Sequence, residues 1–169
     1  MNGEPDGEPR DAIDRILEQW RRERPDLDLS PMEVFGRVAQ LARTVEAEVE
    51  PVLARHGLRP GEFDVLAALR RCGPPYTMIP SELSAVLMTS RAGMTSRLDR
   101  LEAAGLVGRS LDPADRRSFR VTLTEEGRRV VDAALTEHAA NLARLAAALD
   151  PGDAATLSRI LRTLLNARD

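Results

Sequence analysis

The chain has 169 residues, 43% of them hydrophobic and 30% charged, as expected of a soluble globular protein long enough to bury a core. No apolar run approaches the roughly 20 residues of a membrane span. The polar start, residues 1–10, carries no secretory signal and is predicted to be disordered. One cysteine, Cys72, excludes an intramolecular disulfide. These features predict a cytoplasmic protein without a membrane partner.

The net charge of −3 is unevenly distributed along the chain. Residues 81–120 hold seven arginines against five acids, which makes +2, so the remaining residues carry −5. Because nucleic acid is a polyanion, a nucleic-acid surface is expected only within that middle block.

The N-terminal part of the chain is predicted to form two helices. Apolar residues recur at helical spacing in a first helix over 11–23. They are Ile13, Ile16, Leu17 and Trp20. A second helix is predicted from Ser30, with Pro31 at its first position, and Pro51 is expected to kink or end it.

The middle of the chain predicts a helix-turn-helix. A third helix runs from about Pro60 to Gly73, and residues 74–80, PPYTMIP, are extended or loop. A short helix capped by Ser81, a turn over 88–90 and a helix over 91–104 follow. Three apolar residues of the last helix are predicted to face inward, leaving hydroxyls and arginine opposite, as a DNA major groove requires. The inward residues are Met94, Leu98 and Leu101.

The segment DPADRRSFRVTLTEEG, residues 112–127, predicts the far half of a hairpin followed by a helix capped at Thr124. With a first strand over 106–110, the hairpin is the wing of a winged helix, and Arg116 and Arg117 at its tip can enter a minor groove. A charged hairpin tip alone is usually only solvated. Its position directly after a helix-turn-helix favours DNA binding.

Residues 31–165 resemble the MarR (multiple antibiotic resistance regulator) family. GEFDVLAALR, SELSAVLMTSRAGMTSRLDRLEAAGLVGR and DPADRRSFRVTLTEEG match its second helix, its reading helices and its wing. The resemblance implies a mainly α fold with a small β wing, a dimeric winged helix-turn-helix with a helical dimerisation region. It further implies a homodimer that binds pseudo-palindromic operators in double-stranded DNA, usually as a repressor.

Within a single domain over 11–169, we expect dimerisation helices over 11–55 and 125–169 and a DNA-binding lobe over 58–123. The Ala- and Leu-rich C-terminal helices have more apolar surface than one reading head can cover, which independently favours a dimer. The expected DNA contacts are Thr89, Ser90, Arg91, Thr95, Ser96, Arg100, Arg116 and Arg117.

Most MarR-like chains start near residue 31 of this sequence, and the helix predicted over 11–23 is an addition. In having it, the chain resembles the urate-responsive, HucR/PecS-like branch of that family. This resemblance implies a site for a small anionic ligand, urate or a carboxylate such as citrate. By this resemblance, the ligand-binding residues are Trp20, Asp64, Arg97 and Arg109. Helical periodicity puts Arg97 only about 60° from the inward direction, toward the scaffold. The alternative interpretation makes Trp20 a core residue, Asp64 a helix-start acid and both arginines phosphate contacts.

Catalysis has little support in the sequence. No G-x-S-x-G, H-E-x-x-H or G-x-G-x-x-G motif occurs, and a Walker A motif is impossible without lysine. We expect no enzyme activity, catalytic residue, cofactor or metal site, and a structural rather than redox role for Cys72. The alternative function is a winged helix that serves as a protein-interaction module without an operator of its own.

Overall fold

The computed structural model of the protein describes residues 10–111 and 119–167. These residues form seven helices and three strands, so the mainly helical fold with a small sheet is confirmed. In chain order they are α1 (Ala12–Glu23), α2 (Ser30–Ala54), α3 (Pro60–Arg71), β1 (Thr77–Met78), α4 (Pro80–Val86), α5 (Arg91–Ala103), β2 (Val107–Leu111), β3 (Phe119–Leu123), α6 (Glu125–Ala146) and α7 (Pro151–Asn166). None of the helices in these ranges is both long and apolar enough to cross a membrane.

Contacts group the chain into two compact units, one ending at Ala47 and the other beginning at Glu48. In the N-terminal unit, the Asp11 carboxylate caps α1 by accepting hydrogen bonds from two backbone N–H groups. Arg37 of α2 donates to Asp11 at 2.7 Å and to Asp14 at 2.6 Å. A small apolar cluster of Ile13, Leu17 and Leu29 lies beside these ion pairs.

One helix start differs from the sequence prediction, and one of the two alternatives for Pro51 is excluded. Helix α4 begins at Pro80 rather than after a Ser81 cap, because proline suits a first helical position and the Glu82 carboxylate accepts the Ile79 N–H at 3.1 Å. Pro51 does not end α2, which continues to Ala54. The missing N–H of proline removes one helical hydrogen bond, yet α2 continues for three residues beyond Pro51.

The core of the C-terminal unit lies where α3 packs against α5 and α6. Leu66 and Leu69 of α3 have no exposed surface. The three residues of α5 that were predicted to face inward are confirmed as buried, each at 2% exposure or less. Each such side chain stabilises the fold by about 1.5–3 kcal/mol relative to an exposed one.

The predicted wing hairpin is part of a three-stranded antiparallel sheet in the order β1-β3-β2. Strand β2 begins at Val107, one residue later than predicted, and pairs Arg109 with Val121. The added strand β1 lies in the segment predicted as extended or loop, and the Thr77 and Thr122 hydroxyls are 2.8 Å apart. The wing tip, with Arg116 and Arg117, lies outside the described residues.

Gly127, in the first turn of α6, lies against the backbone before the wing. A Cβ at this position would be 2.0 Å from the carbonyl oxygen of Leu106, which already accepts the Thr124 N–H. We therefore expect Gly127→Ala to lower the free energy of unfolding by about 1–3 kcal/mol through overpacking. Urea unfolding at one fixed protein concentration measures this change.

The matched control is Gly108→Ala, because a Cβ at Gly108 meets no atom within 4 Å. Its expected change is below about 0.5 kcal/mol. Equal effects of the two substitutions would contradict the close approach at Gly127.

Candidate DNA-binding surface and arginine cluster

Helix α5 exposes a polar surface because its apolar face is buried in the core. Its start is capped by Ser90, whose hydroxyl accepts the Gly93 N–H at 3.2 Å. Thr89, in the preceding turn, is half-buried. The other predicted DNA contacts of this helix and its cap are exposed, namely Ser90, Arg91, Thr95, Ser96 and Arg100. The surface thus combines hydroxyls with guanidinium groups, which suit base edges and phosphates.

Arg100 is bound to the protein through two of its donors. Its Nε donates to the Glu62 carboxylate at 2.5 Å, and its Nη1 donates to the Ser96 hydroxyl at 2.7 Å. Glu62 is only 6% exposed and also accepts the Arg59 N–H at 2.9 Å. Burial raises the pKa of Glu62, but the hydrogen bonds from Arg100 and Arg59 outweigh it and hold that pKa below its ordinary value.

Glu62 was not among the site residues predicted from the sequence. An acid in the first turn of a helix is usually explained by the helix dipole alone. The signal that identifies it is its spacing, since Glu62 lies four residues before Leu66 and seven before Leu69, on the buried stripe of α3.

Arg109 ties the first wing strand to α5. Its Nη2 donates to Asp99 at 2.6 Å, and its Nε lies 3.4 Å from the Glu102 carboxylate. The side chain is 24% exposed. Arg109 is therefore engaged by the acids of the reading helix rather than by Asp64.

The side chain of Arg97, from α5, lies against the start of α3, near Asp64. The Arg97 guanidinium lies over Gly61, where a Cβ would come within 2.6 Å of its Cζ, so Arg97 points toward the scaffold as the helical periodicity predicts. The pKa of Asp64 is raised because burial by surrounding protein outweighs the opposing charges of Arg97, Arg71 and His138. A guanidinium and an exposed carboxyl group thus lie near each other.

Trp20, the remaining residue of the predicted ligand site, belongs to α1 of the N-terminal unit. Its side chain is 47% exposed, so it is not a core residue of this chain. Arg97 lies close enough to Asp64 to lower its pKa, whereas Arg109 pairs with Asp99.

The single cysteine and the two histidines each contact a neighbouring group, and His138 Nδ1 is buried without a hydrogen-bond partner among the described residues. The Cys72 thiol donates to the Leu69 carbonyl at 3.0 Å. His56 Nε2 lies 3.2 Å from the Glu137 carboxylate, and the His138 ring packs against Phe63 with centroids 5.2 Å apart. Across residues 10–111 and 119–167, no three His, Cys, Asp or Glu side chains form a group suited to a metal ion.

A helix-turn-helix followed by a β wing, with a hydroxyl- and arginine-bearing reading helix, defines a winged-helix DNA-binding protein. The MarR family model matches residues 56–118. The HTH-type transcriptional regulator PecS of Dickeya dadantii is 41% identical over 129 residues, covering 76% of this chain and 78% of that protein. The chain belongs to the MarR family, whose members are transcription regulators and not enzymes.

Two solved structures from Streptomyces coelicolor share the fold. AbsC, a MarR family transcriptional regulator, has a TM-score of 0.76 at 24% identity, covering 83% of this chain and 95% of that one. Sco3205, a MarR family regulator crystallised in complex with DNA, has a TM-score of 0.76 at 23% identity, covering 83% and 89%. At this identity, the likeness shows the fold alone.

The charge of Arg97 lowers the pKa of Asp64, so its removal has a definite sign. We expect Asp64 to titrate above the ordinary value of 3.8, and Arg97→Gln to raise its pKa further. Carboxyl ¹³C NMR titration measures both values. Arg129→Gln removes an equal charge from an ion pair with Glu126 and should leave the Asp64 pKa unchanged. A lower Asp64 pKa in Arg97→Gln would contradict the proximity of Arg97 to Asp64.

Proposed function

We propose that the protein is a homodimeric, sequence-specific repressor that acts in the cytoplasm and leaves its operator when a small anion binds. The observation that carries the proposal is the α5 surface, whose exposed hydroxyls and arginines are backed by a fully buried apolar face. The similarity over three-quarters of the chain to PecS, an HTH-type transcriptional regulator, supports a role in transcription regulation.

The operator contacts are divided between the reading helix and the wing. Hydroxyls and Arg91 at the start of α5 would meet base edges and phosphates in the major groove, because the N-terminal end of a recognition helix usually lies nearest the bases. Arg116 and Arg117, from the sequence of the wing tip, would enter the adjacent minor groove.

An apolar face on α7 supports a dimer. No residue of α7 is buried, although Leu157, Ile160 and Leu164 recur at the spacing of one helical face and are 36–42% exposed. A second copy of the same face would cover these side chains with two-fold symmetry. The N-terminal unit likewise exposes Val34, Phe35, Val38 and Leu41.

The anion site is proposed around Arg97 and Asp64. The Arg97 guanidinium can bind anionic oxygens in a bidentate manner, and Asp64 can accept a ring N–H. The family resemblance also implies ligand roles for Trp20 and for Arg109, whose guanidinium also binds Asp99. Since Arg97 is part of α5, an anion bound to it would favour a different position of the reading helix and so weaken operator binding.

Fluorescence anisotropy with the DNA upstream of the protein's own gene tests the repressor proposal. Affinity should fall steeply with salt, with a log–log slope of about −0.9 per phosphate neutralised. Arg116→Ala with Arg117→Ala should weaken binding at least about tenfold and reduce the slope by about one for each phosphate that is no longer neutralised.

The matched control is Arg15→Ala with Arg22→Ala, which removes two exposed charges from α1. This control should keep the wild-type affinity and salt slope. Sedimentation analysis should find every variant dimeric. Absence of binding to upstream DNA at low salt would favour the protein-interaction module, and wild-type affinity in the wing variant would refute the wing assignment.

Trp20 is the single tryptophan of the chain, so its fluorescence reports ligand binding. Urate or citrate should quench Trp20 and release the operator at up to millimolar concentration. Gly61→Ala puts a methyl group where the Arg97 guanidinium lies, so it should weaken anion binding at least about tenfold.

Operator affinity of Gly61→Ala without ligand is the internal control. It should remain within about twofold of wild type, because alanine is favourable in a helix and the Arg97 side chain can move aside. If neither urate nor citrate quenches Trp20 or releases DNA, the site is either empty or built for a different ligand.

A further inference from the structure

The Glu62 carboxylate is an unusual feature of the α3–α5 contact. It is 6% exposed, among the apolar residues of the core, and holds an arginine of the reading helix at 2.5 Å. Apart from Arg100 Nε, it accepts the Arg59 N–H, and both bonds favour its charged form. A charged group therefore lies on the buried face of α3.

Stability alone does not account for this pair. Removing a carboxylate from water costs several kcal/mol, and replacing a buried ion pair by apolar residues is often neutral or stabilising. Only the Glu62 carboxylate of this pair is buried, whereas Arg100 is 41% exposed, so the pair joins a core carboxylate to the exposed polar surface of α5. The geometry of the pair concerns two residues of that polar surface, Ser96 and Arg100.

The two hydrogen bonds fix the plane of the Arg100 guanidinium. They use Nε–H and one hydrogen of Nη1, so three of its five N–H groups are not used by them. The terminal Nη1 and Nη2 fork is the edge that binds guanine O6 and N7 in a bidentate manner. Since the Ser96 hydroxyl accepts from Nη1, its own hydrogen is also directed away from Arg100.

We propose that Glu62 is a positioning residue for sequence discrimination. It holds Arg100, and Ser96 through Arg100, in one orientation, so that a guanidinium with several rotatable bonds reads a base instead of binding any nearby phosphate. This inference rests on the proposed operator binding and adds a determinant on α3, the helix behind the reading helix.

The test compares affinity for a duplex selected from random DNA by the wild-type protein with affinity for the same duplex scrambled, at one salt concentration. In Glu62→Gln the ratio of the two affinities should fall about tenfold, mainly by loss of selected-duplex binding. Glu126→Gln, which breaks the exposed pair with Arg129, is the charge-matched control and should keep the wild-type ratio.

A double-mutant cycle separates positioning from a merely structural role. If Glu62 acts through Arg100, adding Glu62→Gln to Arg100→Ala should change the ratio less than twofold. An unchanged ratio in Glu62→Gln, an equal fall in the Arg100→Ala background, or failure of Glu62→Gln to fold would each overturn the proposal. A wild-type protein that does not discriminate the duplexes would overturn the repressor proposal itself.

Discussion

The burial of one face of α5 is the constraint on which the rest of the site depends. Met94, Leu98 and Leu101 lie in the core that α3 supplies, so the rotation of α5 about its own axis is determined by apolar packing. Every polar residue of α5 then has a fixed direction, and the cap at Ser90 determines where the helix begins. Rotating α5 by one residue would bury a polar side chain without a partner, which costs roughly 1–3 kcal/mol.

Arginine has more than one use in this lysine-free chain. Arg100 binds the buried Glu62, and Arg109 binds Asp99 across the junction of the wing and α5. Planar guanidinium groups suit such contacts because they donate to two acceptors at once. Part of the positive charge of residues 81–120 therefore pairs with carboxylates of the protein itself. A count of basic residues overstates the number of phosphate contacts.

The sequence predicts the helical elements well where apolar spacing and caps agree, as in α3, α5 and the start of α6. It predicts poorly where tertiary contacts decide. Strand β1 has two residues, too few for a period, and exists because Thr77 pairs with Thr122. The same reason applies to Glu62, whose role requires an arginine 38 residues later in the chain, and to Arg109, whose carboxylate partners are on α5. Arg97 was placed correctly because helical periodicity alone determines its direction.

The exposed face of α5, presented twice by a symmetric dimer, is on this view the part of the molecule that meets DNA. Hydroxyl-radical footprinting on a selected operator tests this most directly. Two protected regions related by two-fold symmetry, centred about 10 bp apart on one face of the duplex, are expected from two reading helices in successive major grooves. A single protected region, or two regions on opposite faces, would contradict it.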